Sequence, residues 1–206
     1  MQITLVETGI GRARATAAAR NIIKTVLPDI VISTGFCGAV KPGLRRGDIV
    51  LAERMLVFSN QLHSSAITPD KELLDILNPP ETTNYHAGTF ISVAGMVSKC
   101  RIAPLLTAQH QNPVLEMESL AVAEVCDCHN IPYAAIRAVS DAADHDPQPV
   151  CSKIFAADMK LSMIKLLGRV VTAPSITRQL LQLHSDAEAA GRSLAEAIEF
   201  SLERLR

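Results

Sequence analysis

Much of what this 206-residue sequence does not contain bears on function. It has no excess of charge: 20 Lys and Arg stand against 21 Asp and Glu, interspersed along the chain. No strong field is therefore available to gather nucleic acid or an anionic membrane, and a small molecule or a protein is the expected partner. It has no apolar run long enough to span a bilayer, and the short apolar start Met1-Gln-Ile-Thr-Leu-Val-Glu7 has no basic flank, which predicts an unexported, cytoplasmic chain. It lacks a disulfide framework: five cysteines, Cys37, Cys100, Cys126, Cys128 and Cys151, are odd in number and scattered, as expected of reduced thiols. Cys126-Asp-Cys128 lacks both the C-x₂-C spacing of zinc sites and a second ligand pair, so structural thiols are expected, with no metal and no cofactor. There is no internal repeat and no low-complexity tract, and the length fits one compact domain.

What is present alternates strand and helix. Ile3 to Val6 reads as a buried strand, and Thr8-Gly-Ile-Gly11 turns the chain into an Ala-rich helix over 12–26 that Pro28-Asp29 breaks. Ile30-Val-Ile-Ser33 is a second apolar run, so a right-handed βαβ unit with parallel strands is expected. Further strands are expected over 48–52, 88–93 and 132–137, helices over 70–77 and 118–128, and a loop over 58–69. Two helices, 152–170 and 176–205, are expected to close the chain on either side of Pro174. In the second, Ile176, Leu180, Leu183, Ala187, Ala190, Leu194, Ile198, Leu202 and Leu205 form one apolar stripe, for packing on the domain or on a second subunit. The expected division is a domain over 1–171 and a helical extension over 172–206, and a homo-oligomer is the expected assembly.

Four short segments carry chemistry. In Thr8-Gly-Ile-Gly-Arg12, Gly9 and Gly11 leave backbone N–H groups free at a strand-to-helix turn, where with Arg12 they could face phosphate or another anion; shaping the turn is the alternative. In Ser33-Thr-Gly-Phe-Cys-Gly-Ala39, a Gly-rich loop following a strand, Gly35, Phe36, Cys37 and Gly38 would sit at the carboxyl edge of a parallel sheet, where ligands bind. Leu115-Glu-Met-Glu118 puts two carboxylates at a helix start, where the helix dipole alone would favour them. Arg137-Ala-Val-Ser-Asp141 ends a buried strand in Ser140 and a carboxylate placed to exchange a proton with a ligand, or else to cap a helix. The six histidines are spread widely and read as surface or core residues; His145, between Asp144 and Asp146, lies nearest a motif.

In this order, Thr-Gly-Ile-Gly-Arg, Thr-Gly-Phe-Cys-Gly-Ala with Gly-Asp-Ile-Val, Glu-Met-Glu-Ser and Arg-Ala-Val-Ser-Asp resemble the superfamily of purine nucleoside phosphorylases and methylthioadenosine/S-adenosylhomocysteine nucleosidases, over about residues 3–163. The resemblance implies a three-layer α/β/α fold with a central mixed, mostly parallel sheet. It implies cleavage of the N-glycosidic bond of a purine nucleoside, adenine being the expected base. In that family the second Glu of Glu-Met-Glu holds the ribose 2′ and 3′ hydroxyls, a role that falls on Glu118, with Met117 against the sugar. The Asp of Ser-Asp supports or donates the proton at purine N7, which falls on Asp141 with Ser140 beside it; Met96 and Val97 fall where relatives stack the base. Such bond breaking passes through an oxocarbenium-like sugar, so a carboxylate on the ribose and a proton at the departing base both lower the barrier.

The sequence also departs from its relatives. They begin with a further strand and a stretch bearing a Glu that activates water; nothing here aligns with it, and Glu7 stands too close to the glycine turn. Phe36 stands where many relatives carry a small or hydroxyl residue, and Ser33 where one group of phosphorylases carries a phosphate-binding Arg. Hydrolysis is therefore expected over phosphorolysis, with phosphate as a nucleophile and a catalytically impaired nucleoside-binding protein as the alternatives. The tail after Val171 resembles the hopanoid-associated phosphorylase-like group, which implies a bulky apolar 5′ substituent on the substrate.

Overall fold

The computed structural model describes residues 1–79, 84–146 and 174–206; the expected helix over 152–170, Cys151 and the expected domain boundary at 171 lie outside them. Helix α1 (Arg12–Val26) spans the predicted residues. It buries Ala15, Ala19 and Ile23, one stripe at four-residue spacing, and its small residues let it lie close to its neighbour α4 (Ser119–Asp127). Six strands follow in the chain: β1 (Val31–Ala39), β2 (Ile49–Phe58), β3 (Leu62–Ser64), β4 (Tyr85–Val93), β5 (Val114–Glu116) and β6 (Tyr133–Asp141). Helix α2 (Lys71–Leu77) starts at Asp70, whose carboxylate accepts the Leu73 N–H. The short α3 (Lys99–Ile102) runs into a 3₁₀ turn, Ala103–Leu105, and α5 (Pro174–Arg204) closes the chain.

The strands form one mixed sheet in the order β3-β2-β4-β5-β1-β6, curled far enough for β2 to meet β6 as well. The long pairings, β1 with β6 and β2 with β4, are parallel, as is β4 with β5; β1–β5, β2–β3 and β2–β6 are antiparallel. Period-two alternation on β6 sorts the layers. Tyr133, Ala135 and Val139 join the core shared with α1 and α4, whereas Ala134, Ile136 and Ala138 join Leu73 and Leu77 of α2 and Ala190, Leu194 and Ala197 of α5. The fold is thus α/β/α in three layers. Of the apolar stripe on α5, Ala190, Leu194, Ile198 and Leu205 pack into this layer with the sheet and α2.

Three sequence expectations are corrected. Residues 3–6 form no strand, because no sheet strand pairs with them; Ile3 is 55% and Leu5 89% exposed. The expected βαβ unit therefore lacks its first strand. Second, the Gly-rich segment after Ser33 is not a loop: β1 runs on to Ala39, held between β5 and β6. Third, the expected loop over 58–69 contains β3, an antiparallel return onto β2, and Leu115 and Glu116, expected at a helix start, lie in β5, with the helix beginning only at Ser119. Among the described residues, no helix is long and apolar enough to cross a membrane.

Candidate active site

The site forms where the Gly9-Ile-Gly11 turn, the ends of β1, β4 and β6, and the β5–α4 junction meet. Gly11 caps α1 at φ +96°, a conformation that disfavours any side chain. Its N–H donates to Glu118 Oε1 at 2.6 Å. The first turn of α1 has no acid of its own, so Glu118, arriving from the start of α4, supplies the negative charge that the helix N-terminus favours. The anion met by this turn is thus a protein carboxylate. Arg12 points away, its Nη2 2.7 and 2.5 Å from the Glu124 carboxylate oxygens at the surface, and Gly9 adjoins the Arg14 side chain. Met117 does reach the turn: a Cβ on Gly11 would lie 4.0 Å from its Cε. Burial pushes the Glu118 carboxyl above the usual carboxylate range; the Gly11 N–H and the charge of Arg137 oppose the shift, and the charge of Glu116 adds to it.

Glu116 has a different task. Its Oε2 accepts the backbone N–H groups of Glu118 (2.8 Å) and Ser119 (2.5 Å), and its Oε1 accepts the Ser92 hydroxyl at the end of β4. It satisfies donors at the start of α4 and so fixes the backbone that carries Glu118. Behind it Arg137 is 2% exposed, with Nη2 3.5 Å from Glu116 Oε2 and 3.2 Å from Ser33 Oγ. The contact to Glu116 is long for a hydrogen bond and the Arg137 Nε has no hydrogen-bond partner among the described residues, so opposed charge in the buried interior is the main link. Arg137→Met would leave Glu116 buried without a counter-charge. It is expected to cost about 3–5 kcal/mol of stability in urea unfolding.

Asp141 is aimed by a register shift. Cys37 pairs with Val139 but Gly38 with Asp141, so Ser140 is the extra residue of a bulge, a device that re-aims a side chain at a strand end. A Cβ on Gly38 would lie 2.5 Å from Asp141 Oδ2, so only glycine lets the carboxylate lie across β1. The Ser140 hydroxyl lies 2.8 Å from Asp141 Oδ1 and 3.2 Å from the Cys37 carbonyl. On the other oxygen, Lys99 Nζ stands 2.5 Å from Oδ2.

The remaining expected residues are placed as follows. Gly35 lies opposite Arg137 in the β1–β6 register. Phe36 is 45% exposed, with its ring close to Gly191 of α5. The Cys37 thiol is pushed up by burial, against the charge of Arg137, and remains a thiol rather than a nucleophile. Met96 and Val97 are half-buried between β4 and α3, and Val97 and Met117 pack against the same cluster, which includes Ile91, Val93 and Ile102. Among the described residues no three His, Cys, Asp or Glu side chains are grouped to hold a metal ion. Sequence reasoning missed Lys99, placed Ser92 only at the start of the base segment rather than against Glu116, and gave Arg137 no role. A buried strand carrying one arginine was the available signal for Arg137.

Residues 1–172 match the phosphorylase superfamily. A 5′-methylthioadenosine/S-adenosylhomocysteine nucleosidase of Haemophilus influenzae is 26% identical over 184 residues, covering 82% of this chain and 80% of the relative. The nucleosidase of that name from S. pneumoniae, solved with a transition-state inhibitor, superposes with a TM-score of 0.70 at 20% identity, over 98% of this chain and 81% of that one. The futalosine hydrolase of Helicobacter pylori superposes at 0.68 with 15% identity, over 95% and 77%. These two structures share the fold.

Proposed function

This chain belongs to the phosphorylase superfamily, and on that premise we propose that it hydrolyses the N-glycosidic bond of an adenine nucleoside. The observation that carries the reading is the Glu118 carboxylate seated on the Gly11 N–H beside Met117, at the sheet end that also presents Asp141. Glu118 accepts the ribose hydroxyls and opposes the positive charge that grows on the sugar. Asp141, with Ser140, supports the proton at purine N7 as the base departs. The C1′–N9 bonding pair leaves with the base, a water oxygen bonds C1′, and the proton gained at N7 is balanced by one lost from that water. Relatives similar to this chain are named for adenine nucleosides of this kind and support the choice of base.

Hydrolysis is preferred because the candidate phosphate contacts are otherwise engaged. Gly11 donates to Glu118, Arg12 pairs with Glu124, and Ser33 meets Arg137. The proposal includes an apolar 5′ group on the sequence resemblance of the tail; the Phe36 ring itself lies against Gly191 of α5. The proposal extends to a homo-oligomer, supported by the exposed apolar side chains of Ile3, Leu5 and Leu27. The test is to identify the sugar product from methylthioadenosine, adenosylhomocysteine and an adenosine with a bulky apolar 5′ group, each with and without phosphate. Free substituted ribose in both conditions is the expected product; the substituted ribose 1-phosphate formed only with phosphate would replace hydrolysis by phosphorolysis.

A further inference from the structure

Lys99 is a buried cation that lies outside the four motifs. It is 6% exposed, and its ammonium meets four oxygens at the end of β6: Asp141 Oδ2 at 2.5 Å and the carbonyls of Asp141 (3.2 Å), Ala142 (2.7 Å) and His145 (2.7 Å). Lysine has three N–H donors, so all are engaged and the longest contact is shared. The backbone around it adds to the clamp, since the Lys99 N–H and the Ser98 hydroxyl both reach Asp146 Oδ2, at 3.1 and 2.5 Å. Two residues thus tie down the whole stretch 141–146. Those same two residues directly follow Met96 and Val97, the segment assigned to the base.

We propose that Lys99 is a positioning residue for departure of the base: it fixes the Asp141 carboxylate and the chain after β6 relative to the segment on which the purine rests. The proposal rests on the glycosidic-cleavage reading above. Asp141 has one oxygen held by Lys99 and the other by Ser140, so rotation of its carboxylate is restrained from both sides. Removing the ammonium would release one oxygen and leave three carbonyls at the strand end without their donor, and a carboxylate displaced by about 1 Å can lose on the order of 10²-fold in rate. This effect depends on the leaving group. A purine needs its proton supported as it departs, whereas 4-nitrophenolate leaves without one.

The experiment compares wild type, Lys99→Met and Lys99→Arg on methylthioadenosine and on 4-nitrophenyl β-D-riboside. Lys99→Met is expected to lose about 100-fold in kcat for the purine nucleoside, the scale of proton-transfer assistance, with KM little changed and the nitrophenyl substrate nearly unaffected. Lys99→Arg is expected to recover part of the loss because it keeps the charge. Asp141→Asn combined with Lys99→Met should lose little more than Asp141→Asn alone. Equal losses on both substrates would show a merely structural lysine, and no loss on the purine substrate would also overturn the proposal. If Lys99→Met does not fold, Lys99→Gln, which also removes the charge, carries the test: a loss confined to the purine substrate is expected, and equal losses on both substrates or no loss on the purine would overturn the proposal. A wild-type chain that releases no base from any nucleoside would remove the underlying reading as well, which separates that failure from failure of Lys99 alone.

Discussion

Asp141→Asn is expected to slow release of adenine from a nucleoside by about 10²–10⁴-fold, the range over which a positioned proton-transfer group acts. The amide has the shape of the carboxylate but not its charge, so it cannot oppose the positive charge of a base protonated at N7. It would also leave the Lys99 ammonium, 7% exposed at the side chain, facing a neutral group. Local geometry should survive, because Ser140 and the backbone carbonyls of Asp141, Ala142 and His145 keep their partners. The check is steady-state kinetics beside thermal melting: kcat falls, KM moves little, and the fold is retained. A variant within a few-fold of wild type would remove Asp141 from the chemistry.

Glu118→Gln is expected to cost about 10²–10³-fold in kcat, comparable to losing one electrostatic contact to a transition state. The glutamine oxygen can still accept from Gly11, but it carries no charge to offset the oxocarbenium-like sugar. The pH dependence has a definite sign. Burial raises the Glu118 carboxyl above the usual range, so it holds its proton to higher pH than an exposed glutamate does. Only the ionised form accepts from both ribose hydroxyls and Gly11, so the acid limb of kcat/KM should lie above the usual carboxylate range and be lost in Glu118→Gln. For stability the folded state binds the proton more tightly than the unfolded state does, so this group's contribution is present at low pH and declines as pH rises through the raised value. At neutral pH the Gln variant should therefore melt no lower than wild type. A lower melting temperature with unchanged kinetics would mean that Glu118 is structural.

The sequence made the site's vocabulary readable but not its wiring. Helix α1 matched because its signals are local: a glycine turn, an Ala-rich run and Pro28 beyond its end. Asp70 was legible as a helix start for the same reason. Residues 3–6 looked like a strand because apolar residues follow one another there, but a strand exists only with a partner, and none pairs with them. The run Gly35 to Ala39 looked like a loop from composition, yet hydrogen bonds from β5 and β6 keep it extended. Glu118 and Asp141 stand out as candidates through short motifs in a fixed order. Lys99 does not, because its oxygen partners lie 42 to 46 positions away and its own neighbourhood spells only a short helix after Ser98. The likeness between Gly11 and a phosphate site was sound physics with another occupant, since a carboxylate from a distant segment is an anion too.

The central claim is tested most directly by incubating the wild-type chain with 5′-methylthioadenosine in phosphate-free buffer and following free adenine by chromatography. Continuous release over many turnovers, with one substituted ribose formed per adenine, is the predicted result. Intact nucleoside after prolonged incubation with folded protein, or release that begins only when phosphate is added, would contradict it.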